Sequence, residues 1–222
     1  MANYDSQDLK SRLIEMLALP TDDTGAIVSQ QLGTTDAALY RNLSTAESDV
    51  QSDVAMRVPH ALIAAPALLT SADGGKTYPY VDAAGTTVAA QGYMRVFTRL
   101  EDIPDSPLVE GVDYTNEGTK LRIPNNLTWT YSTGPYVQMI AATVPLSASV
   151  NPTLPSYMLM AVVYQAAVNF CQSGGKRDPS QFEKRYNDEI TKLCLMYHSQ
   201  VAPQGLSWGR TGHVRTLRWG GR

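Results

Sequence analysis

The chain has 222 residues, of which 43% are hydrophobic, and this is enough for one large domain or for a core domain with appendages. Charged residues make up only 18% of it, against roughly 25% in an ordinary soluble protein, which favours a subunit whose surface is covered by neighbours. The formal net charge of −3 disfavours a protein that binds nucleic acid over its whole surface.

Two helices are predicted in residues 1–58. Apolar residues repeat at helical spacing at Leu9, Leu13, Met16 and Leu17, and Pro20 ends that helix. Asp36 is placed to cap a longer second helix, which Pro59 stops. The apolar stripe of the second helix follows helical spacing over four turns. Its members are Leu39, Leu43, Ala46, Val50 and Val54.

Residues 59–150 are predicted to be rich in β-strands. Turn-forming sequences such as Asp73-Gly74-Gly75 punctuate the segment, and residues 111–123 (GVDYTNEGTKLRI) are predicted to form a hairpin. Because the strands alternate poorly and several lie near proline, we expect one small sheet with long loops and a face or edge open to another subunit. The predicted strands are Ala67–Thr70, Thr77–Val81, Tyr93–Thr98, Asp113–Thr115, Lys120–Ile123 and Tyr136–Val144.

A second pair of helices is predicted in residues 151–201. Pro155 suits the first turn of a helix that runs to about Gln172 and is apolar almost all round, as in a helix buried on most sides. Asp178 followed by Pro179 predicts a new helix start, and the short break between the helices predicts antiparallel packing. The apolar face of the last helix consists of Phe182, Tyr186, Ile190, Leu193 and Tyr197.

Residues 202–222 form a glycine-rich tail with four arginines, two tryptophans and no acidic residue. The tail carries +4 and the rest of the chain −7. Three interpretations compete: a disordered terminus, a nucleic-acid contact made by arginines between aromatic residues, and an arm that docks on a partner protein. Docking is favoured because exposed indoles are a liability and because tryptophan and arginine are preferred interface anchors. The candidate docking residues are Leu206, Trp208, Arg210, Arg215, Leu217, Arg218, Trp219 and Arg222.

The sequence predicts no catalytic, cofactor or metal site. Thr70–Thr77 (TSADGGKT) ends like a phosphate-binding loop, but it lacks the first glycine and precedes Tyr78-Pro79-Tyr80 instead of a helix, which predicts a glycine turn. Acids in residues 101–105 lack the spacing of a calcium loop. The histidines lie in separate segments without metal-ligand spacing: they are His60, His198 and His213.

Membrane insertion and secretion are not predicted either. The longest apolar stretch, Tyr157–Phe170, is too short to cross a bilayer. Residues 1–10 (MANYDSQDLK) contain no apolar segment typical of a secretory signal. Cys171 and Cys194 are therefore expected to be buried, reduced thiols. Cys194 and His198 could touch across one helical turn, but a core cysteine beside a solvent-facing histidine is favoured.

This order of elements resembles the head-to-tail adaptor proteins of tailed bacteriophages, in particular those of the podovirus tubular-tail type. The resemblance rests on Leu154-Pro155-Ser156-Tyr157 leading into residues 160–167 (MAVVYQAA). It also rests on residues 178–194 (DPSQFEKRYNDEITKLC) and on the predicted hairpin followed by Pro124.

The resemblance implies an α+β fold, mainly a helical bundle with a β-rich insertion and an extended C-terminal arm. The expected parts are residues 1–58, 59–150, 151–201 and 202–222. It implies a structural ring of roughly twelve subunits in the virion neck, assembled in the host cytoplasm between the portal protein and a tail or nozzle protein. The arm would clasp the portal, and genomic DNA would pass through the channel without specific binding. The alternative is a nucleic-acid-binding protein that uses the arginine- and tryptophan-rich tail.

Overall fold

The computed structural model describes residues 5–22, 27, 35–71, 73–81, 85–98, 107–124, 134–173 and 178–197. Within these ranges the chain has an α+β fold with four α-helices and two small antiparallel sheets. It divides into two compact units. The helical unit combines the chain up to Ala61 with the chain from Thr143 onward, and the β unit is Leu62–Ala142.

The helices of the helical unit are α1 (Ser6–Met16), α2 (Asp36–Arg57), α3 (Leu159–Gln172) and α4 (residues 180–197). All five residues of the predicted stripe on α2 are buried, as are Leu9, Leu13 and Leu17 of the first predicted helix. Met16, the fourth residue predicted for that face, is half-buried. The apolar periodicity of the first 58 residues therefore identified both helices and the faces that they bury.

The N-cap of α2 is Thr35, and the prediction that Asp36 caps this helix is wrong. Thr35 has the extended backbone of a capping residue, and its hydroxyl accepts a hydrogen bond from the backbone N–H of Ala38 at 3.2 Å. Asp36 lies one residue inside the helix, where its carboxylate instead pairs with Lys10 Nζ at 2.9 Å.

A 3₁₀ turn, Ser156–Met158, precedes α3, so the α-helix begins one turn after the predicted start and ends at the predicted Gln172. Contacts join the 3₁₀ turn before α3, and the last residue of α3, to α4. The rings of Tyr157 and Tyr197 lie 6.2 Å apart between centroids, and Gln172 Nε2 donates to Glu183 Oε1 at 3.4 Å. Residue numbers rise along α3 as they fall along α4, which confirms the antiparallel arrangement.

The new helix start at Asp178 is confirmed. The Asp178 carboxylate accepts hydrogen bonds from the hydroxyl and the backbone N–H of Ser180, and these bonds, the hydroxyl's first, lower the pKa of Asp178. Ile190 and Leu193 on the predicted apolar face of α4 are buried, whereas Phe182, Tyr186 and Tyr197 are half-buried.

The β unit contains all six predicted strands, most of them shorter than expected. They form two sheets, with strand orders β1-β6-β3 and β2-β5-β4, and not the single sheet that was predicted. Proline explains part of the division, because Pro79 cannot donate a ladder hydrogen bond and lies in the edge strand β2. The strands are β1 (Ala67–Leu68), β2 (Thr77–Pro79), β3 (Ala90–Phe97), β4 (Thr115–Asn116), β5 (Lys120–Arg122) and β6 (Tyr136–Ala141).

The predicted hairpin is the β4–β5 pair. Thr115 lies opposite Arg122 and Asn116 opposite Leu121, and Gly118 takes the left-handed φ of +85° that the turn requires. One apolar core serves both sheets of the unit, because side chains from each contribute to it. Its buried members are Leu69, Tyr78, Tyr80, Val96, Tyr114, Leu121, Ile123, Val137 and Met139.

Candidate interaction surfaces

The predicted docking residues of the tail lie outside the described residues, and the structure therefore leaves them as predictions. The described residues end at Tyr197, which lies in α4. The residues that fall outside are Leu206, Trp208, Arg210, Arg215, Leu217, Arg218, Trp219 and Arg222, together with His198, His213, Glu101, Asp102 and Asp105.

The last described turn of α4 exposes two large apolar side chains. Leu195 is 64% exposed and Met196 48% exposed, while Tyr197 turns back and is half-buried. The sequence could have predicted this surface. Leu195 and Met196 are apolar, but their spacing places them outside the helix face that contains Ile190 and Leu193. An exposed apolar pair at this point is suited to contact with another protein.

Glu47 is a buried carboxylate that joins α2 to the chain leading into α3. Its side chain is 0% exposed, and its Oε1 accepts hydrogen bonds from the backbone N–H groups of Thr153 at 2.6 Å and Leu154 at 3.0 Å. Burial raises the pKa of Glu47, and the two backbone hydrogen bonds oppose that rise. Oε2 has no hydrogen-bond partner among the described residues.

The contact with Glu47 fixes the start of the segment on which the adaptor resemblance rests, Leu154-Pro155-Ser156-Tyr157. Sequence reasoning missed this residue. The helical spacing could have predicted its burial, because Glu47 follows Leu43 by one turn and therefore lies on the buried face of α2. A second cross-link lies nearby, where the Ser44 hydroxyl accepts a hydrogen bond from the backbone N–H of Leu146 at 2.8 Å.

A cleft of about 670 Å³ lies in the β unit beside the β2-β5-β4 sheet. Its rim includes Val112, which is 72% exposed. Arg122 in its lining is held by Glu117 at 2.9 Å. The cleft thus has apolar and charged walls, and its principal lining residues are Asp73, Lys76, Val112, Tyr114, Arg122, Ile123 and Pro124.

Residues 73–77, the end of the sequence that resembles a phosphate-binding loop, form a turn that lines this cleft. Hydrogen bonds within the turn hold it. Asp73 Oδ1 accepts hydrogen bonds from the backbone N–H groups of Lys76 at 3.1 Å and Thr77 at 2.7 Å, and the Ser71 hydroxyl accepts from that of Gly75. The bond from Thr77 is the chief cause of the lowered pKa of Asp73. The backbone N–H groups of Gly75, Lys76 and Thr77 are thus bonded within the turn and not offered to an anion, and the predicted glycine turn is confirmed.

Comparison of the sequence with protein-family models finds no matching family. No curated protein matches it either. The function is therefore inferred from the two units, their surfaces and the sequence pattern.

The cysteines and the one histidine among the described residues are Cys171, Cys194 and His60. Cys171 is buried as expected, but Cys194 is only half-buried, because it lies beside the stripe through Ile190 and Leu193 and not on it. His60 is exposed in a 3₁₀ turn after α2. Among the described residues no group of histidine, cysteine and acidic side chains is arranged to hold a metal ion, and no described helix could span a membrane.

Proposed function

We propose that the chain is a head-to-tail adaptor of a tailed bacteriophage, a structural protein and not an enzyme. In this proposal roughly twelve copies form a ring between the portal protein and a tail or nozzle protein. The observation that carries the proposal is the order of the two units along the chain. Helices from both ends of the chain belong to one unit, and the strands between them form another, as expected for a helical wall with a β-rich insertion.

We further propose that the four helices form a bundle that serves as the ring wall. Contacts between helices distant in sequence support this. Asn42 Nδ2 on α2 donates to the Ala166 carbonyl on α3 at 3.2 Å, and the Tyr186 hydroxyl on α4 donates to Asp53 Oδ2 on α2 at 2.8 Å. Each of these bonds joins two helices, and together they link α2 to both helices of the C-terminal pair.

The charge distribution suits a ring through which DNA passes without being held. Residues 1–61 contain nine acidic and four basic residues. An acidic lining would repel phosphates, and the arginines are concentrated in the tail. The same distribution agrees with an arm that reaches an acidic partner surface while the body stays clear of the DNA.

Docking through the arm is supported at its base. Leu195 and Met196 expose apolar surface just before the tail begins, so a partner that receives the tail would also find apolar surface on the body. The free protein lacks that partner. Sizing chromatography of the full chain at low micromolar concentration is therefore expected to give a monomer or a weak associate that becomes a ring only with portal protein. A stable ring formed by the chain alone would contradict this expectation.

The second candidate function is nucleic-acid binding through the tail, favoured by its charge of +4 and its two tryptophans. A gel shift separates the two candidates. The adaptor proposal predicts no shift of duplex DNA by the full chain at physiological salt. A shift that weakens steeply as salt rises, and that is lost with the tail, would favour nucleic-acid binding.

A further inference from the structure

The outward face of the β2-β5-β4 sheet lines the cleft of the β unit. Arg122 of the central strand β5 lies opposite Thr77 of β2 on one side and opposite Thr115 of β4 on the other, and all three residues line the cleft. Their neighbours Tyr78 and Leu121 are buried in the core, as expected when side chains alternate between the two faces of a sheet. The three side chains therefore form one row on the face that opens away from the core.

Positive charge is concentrated at this cleft. Residues 62–142 contain eight acidic and five basic residues, yet three of the five basic ones lie in or next to this sheet: Lys76, Lys120 and Arg122. Glu117 pairs with both Lys120 and Arg122, at 3.3 Å and 2.9 Å, so this group of three keeps a net positive charge. The pair with Arg122 uses Nε, and a guanidinium carries further N–H donors on its two terminal nitrogens.

Asp73 is the acidic residue among the described residues that line the cleft, and its carboxylate is bonded within its own turn. Oδ1 accepts the backbone N–H groups of Lys76 and Thr77. Within the described part of the chain, the side chain of Lys76 forms no ion pair with Asp73 or with any other acid. The lining therefore offers Lys76 and Arg122 as cations to an acidic ligand.

Two exposed valines accompany these cations. Val109 is 56% exposed, and Val112, which lines the cleft, is 72% exposed. The backbone N–H of Val112 donates to the Val109 carbonyl at 3.2 Å, so a single turn presents both side chains. Exposed apolar side chains that adjoin charged ones are typical of a surface that contacts another protein.

The chain itself carries an acidic surface that is complementary to this cleft, on α1. The exposed charged residues of α1 are Asp8 and Glu15, both acidic, whereas its basic residues Lys10 and Arg12 are half-buried. Asp8 and Glu15 are seven residues apart and so lie on the same side of the helix. Ala18, three residues after Glu15, is exposed as well and adds an apolar side chain. The exposed charged residues of α2 and α4, by contrast, are of both signs.

We propose that the cleft of one copy receives the acidic face of α1 of a second copy, with Arg122 and Lys76 as the cationic anchors and Glu15 as the acidic one. The charges of the two surfaces are complementary, and a ring requires each copy to use two different surfaces, one for each neighbour. In that respect the inference rests on the proposed function, to which it adds the contact between subunits. Exposed ion pairs are individually weak and screened by salt, which agrees with a chain that forms its ring only with portal protein.

The test reverses the charge on each side of the contact. Arg122→Glu and Glu15→Lys each bring like charges together. Each is expected to weaken self-association of the full chain roughly three- to tenfold, as measured by sedimentation velocity at high protein concentration and low ionic strength. An equimolar mixture of the two variants is expected to associate like the wild type. In the mixture the reversed cleft meets the reversed helix, and the unchanged helix meets the unchanged cleft. A variant that had merely unfolded could not be rescued in this way.

The matched control is Lys184→Glu, which makes the same change in net charge at an exposed position of α4. This variant is expected to associate like the wild type. Equal weakening by the control would mean that net charge alone governs association, and would overturn the proposal. A wild type that stays monomeric at low ionic strength, or a mixture that associates no better than its components, would overturn it as well.

Three further outcomes separate this inference from the proposed function. If mixing restores association but the wild-type chain does not bind portal protein, the contact between copies stands and the adaptor function fails. If rings form on portal protein with the wild type and equally with each variant alone, the adaptor function stands and the cleft is not the contact between subunits. If Arg122→Glu abolishes a gel shift of duplex DNA and leaves self-association unchanged, the cleft binds DNA and the proposal is overturned.

Discussion

Replacing Glu47 with alanine is expected to lower the free energy of unfolding by about 2–4 kcal/mol. The change leaves the backbone N–H groups of Thr153 and Leu154 without their acceptor, one of them in a buried position, and it opens a cavity in the core of the helical unit. Urea denaturation of the full chain, followed by circular dichroism, measures the loss.

Glu47→Gln is the matched control. The glutamine carbonyl can accept both backbone hydrogen bonds, while the buried charge and its desolvation cost disappear. We expect this variant to lie close to the wild type in stability at neutral pH, because the relief from the buried charge is offset by an amide group that takes the place of the unpartnered Oε2. A loss as large as that of the alanine variant would mean that the negative charge itself, and not the acceptor, holds the segment before α3.

The pH dependence of stability follows from the raised pKa of Glu47. Between the ordinary carboxyl pKa and the raised one, the folded protein binds more protons than the unfolded protein, so the contribution of this group falls as pH rises. The stabilising contribution of Glu47 is fully present below the pKa that its carboxyl has in the unfolded chain, and it is lost above the raised pKa of the folded protein. The stability of the wild type relative to Glu47→Gln should therefore increase on acidification through this window. A difference that does not change with pH would contradict the raised pKa.

Deleting residues 203–222 is expected to abolish attachment to portal protein while leaving a folded body. The tail supplies both tryptophans of the proposed anchor and all of its arginines. Truncating Trp208 or Trp219 to alanine should weaken binding by roughly 2 kcal/mol or more, as for a tryptophan buried at the centre of an interface. Pull-down with immobilised portal protein and circular dichroism measure attachment and folding separately.

The arginines of the tail are expected to act differently from the tryptophans. Arg210, Arg215 and Arg218 should each contribute less, with effects that fade as salt rises. Replacing these arginines with lysine keeps the positive charge but removes bidentate hydrogen bonding to carboxylates. The comparison therefore separates the contribution of charge from that of bidentate pairing. If the deleted protein still joins portal with unchanged affinity, the tail is not the docking element. If the tail binds duplex DNA and ignores portal, the nucleic-acid function is correct.

Local sequence patterns predicted the parts of the fold that depend on neighbouring residues. The buried stripe on α2 follows from helical periodicity, and the β4–β5 hairpin from its turn residues around Gly118. The cap of α2 was misplaced by one residue, because Thr35 and Asp36 are both good capping residues and only the backbone conformation decides between them.

Features that depend on distant residues could not be predicted in this way. The division of the strands into two sheets depends on pairing, for example of β1 with β6, across nearly seventy residues. The burial of Glu47 is explained by partners more than a hundred residues away, at Thr153 and Leu154. The contact between the rings of Tyr157 and Tyr197 likewise depends on how the turn before α3 packs against α4.

The most direct test of the adaptor function is negative-stain imaging of the full chain mixed with purified portal protein. The proposed function predicts a closed ring of added density on one face of the portal, absent when residues 203–222 are deleted. Bare portals beside free chain, or chain found on added DNA and not on portals, would contradict it.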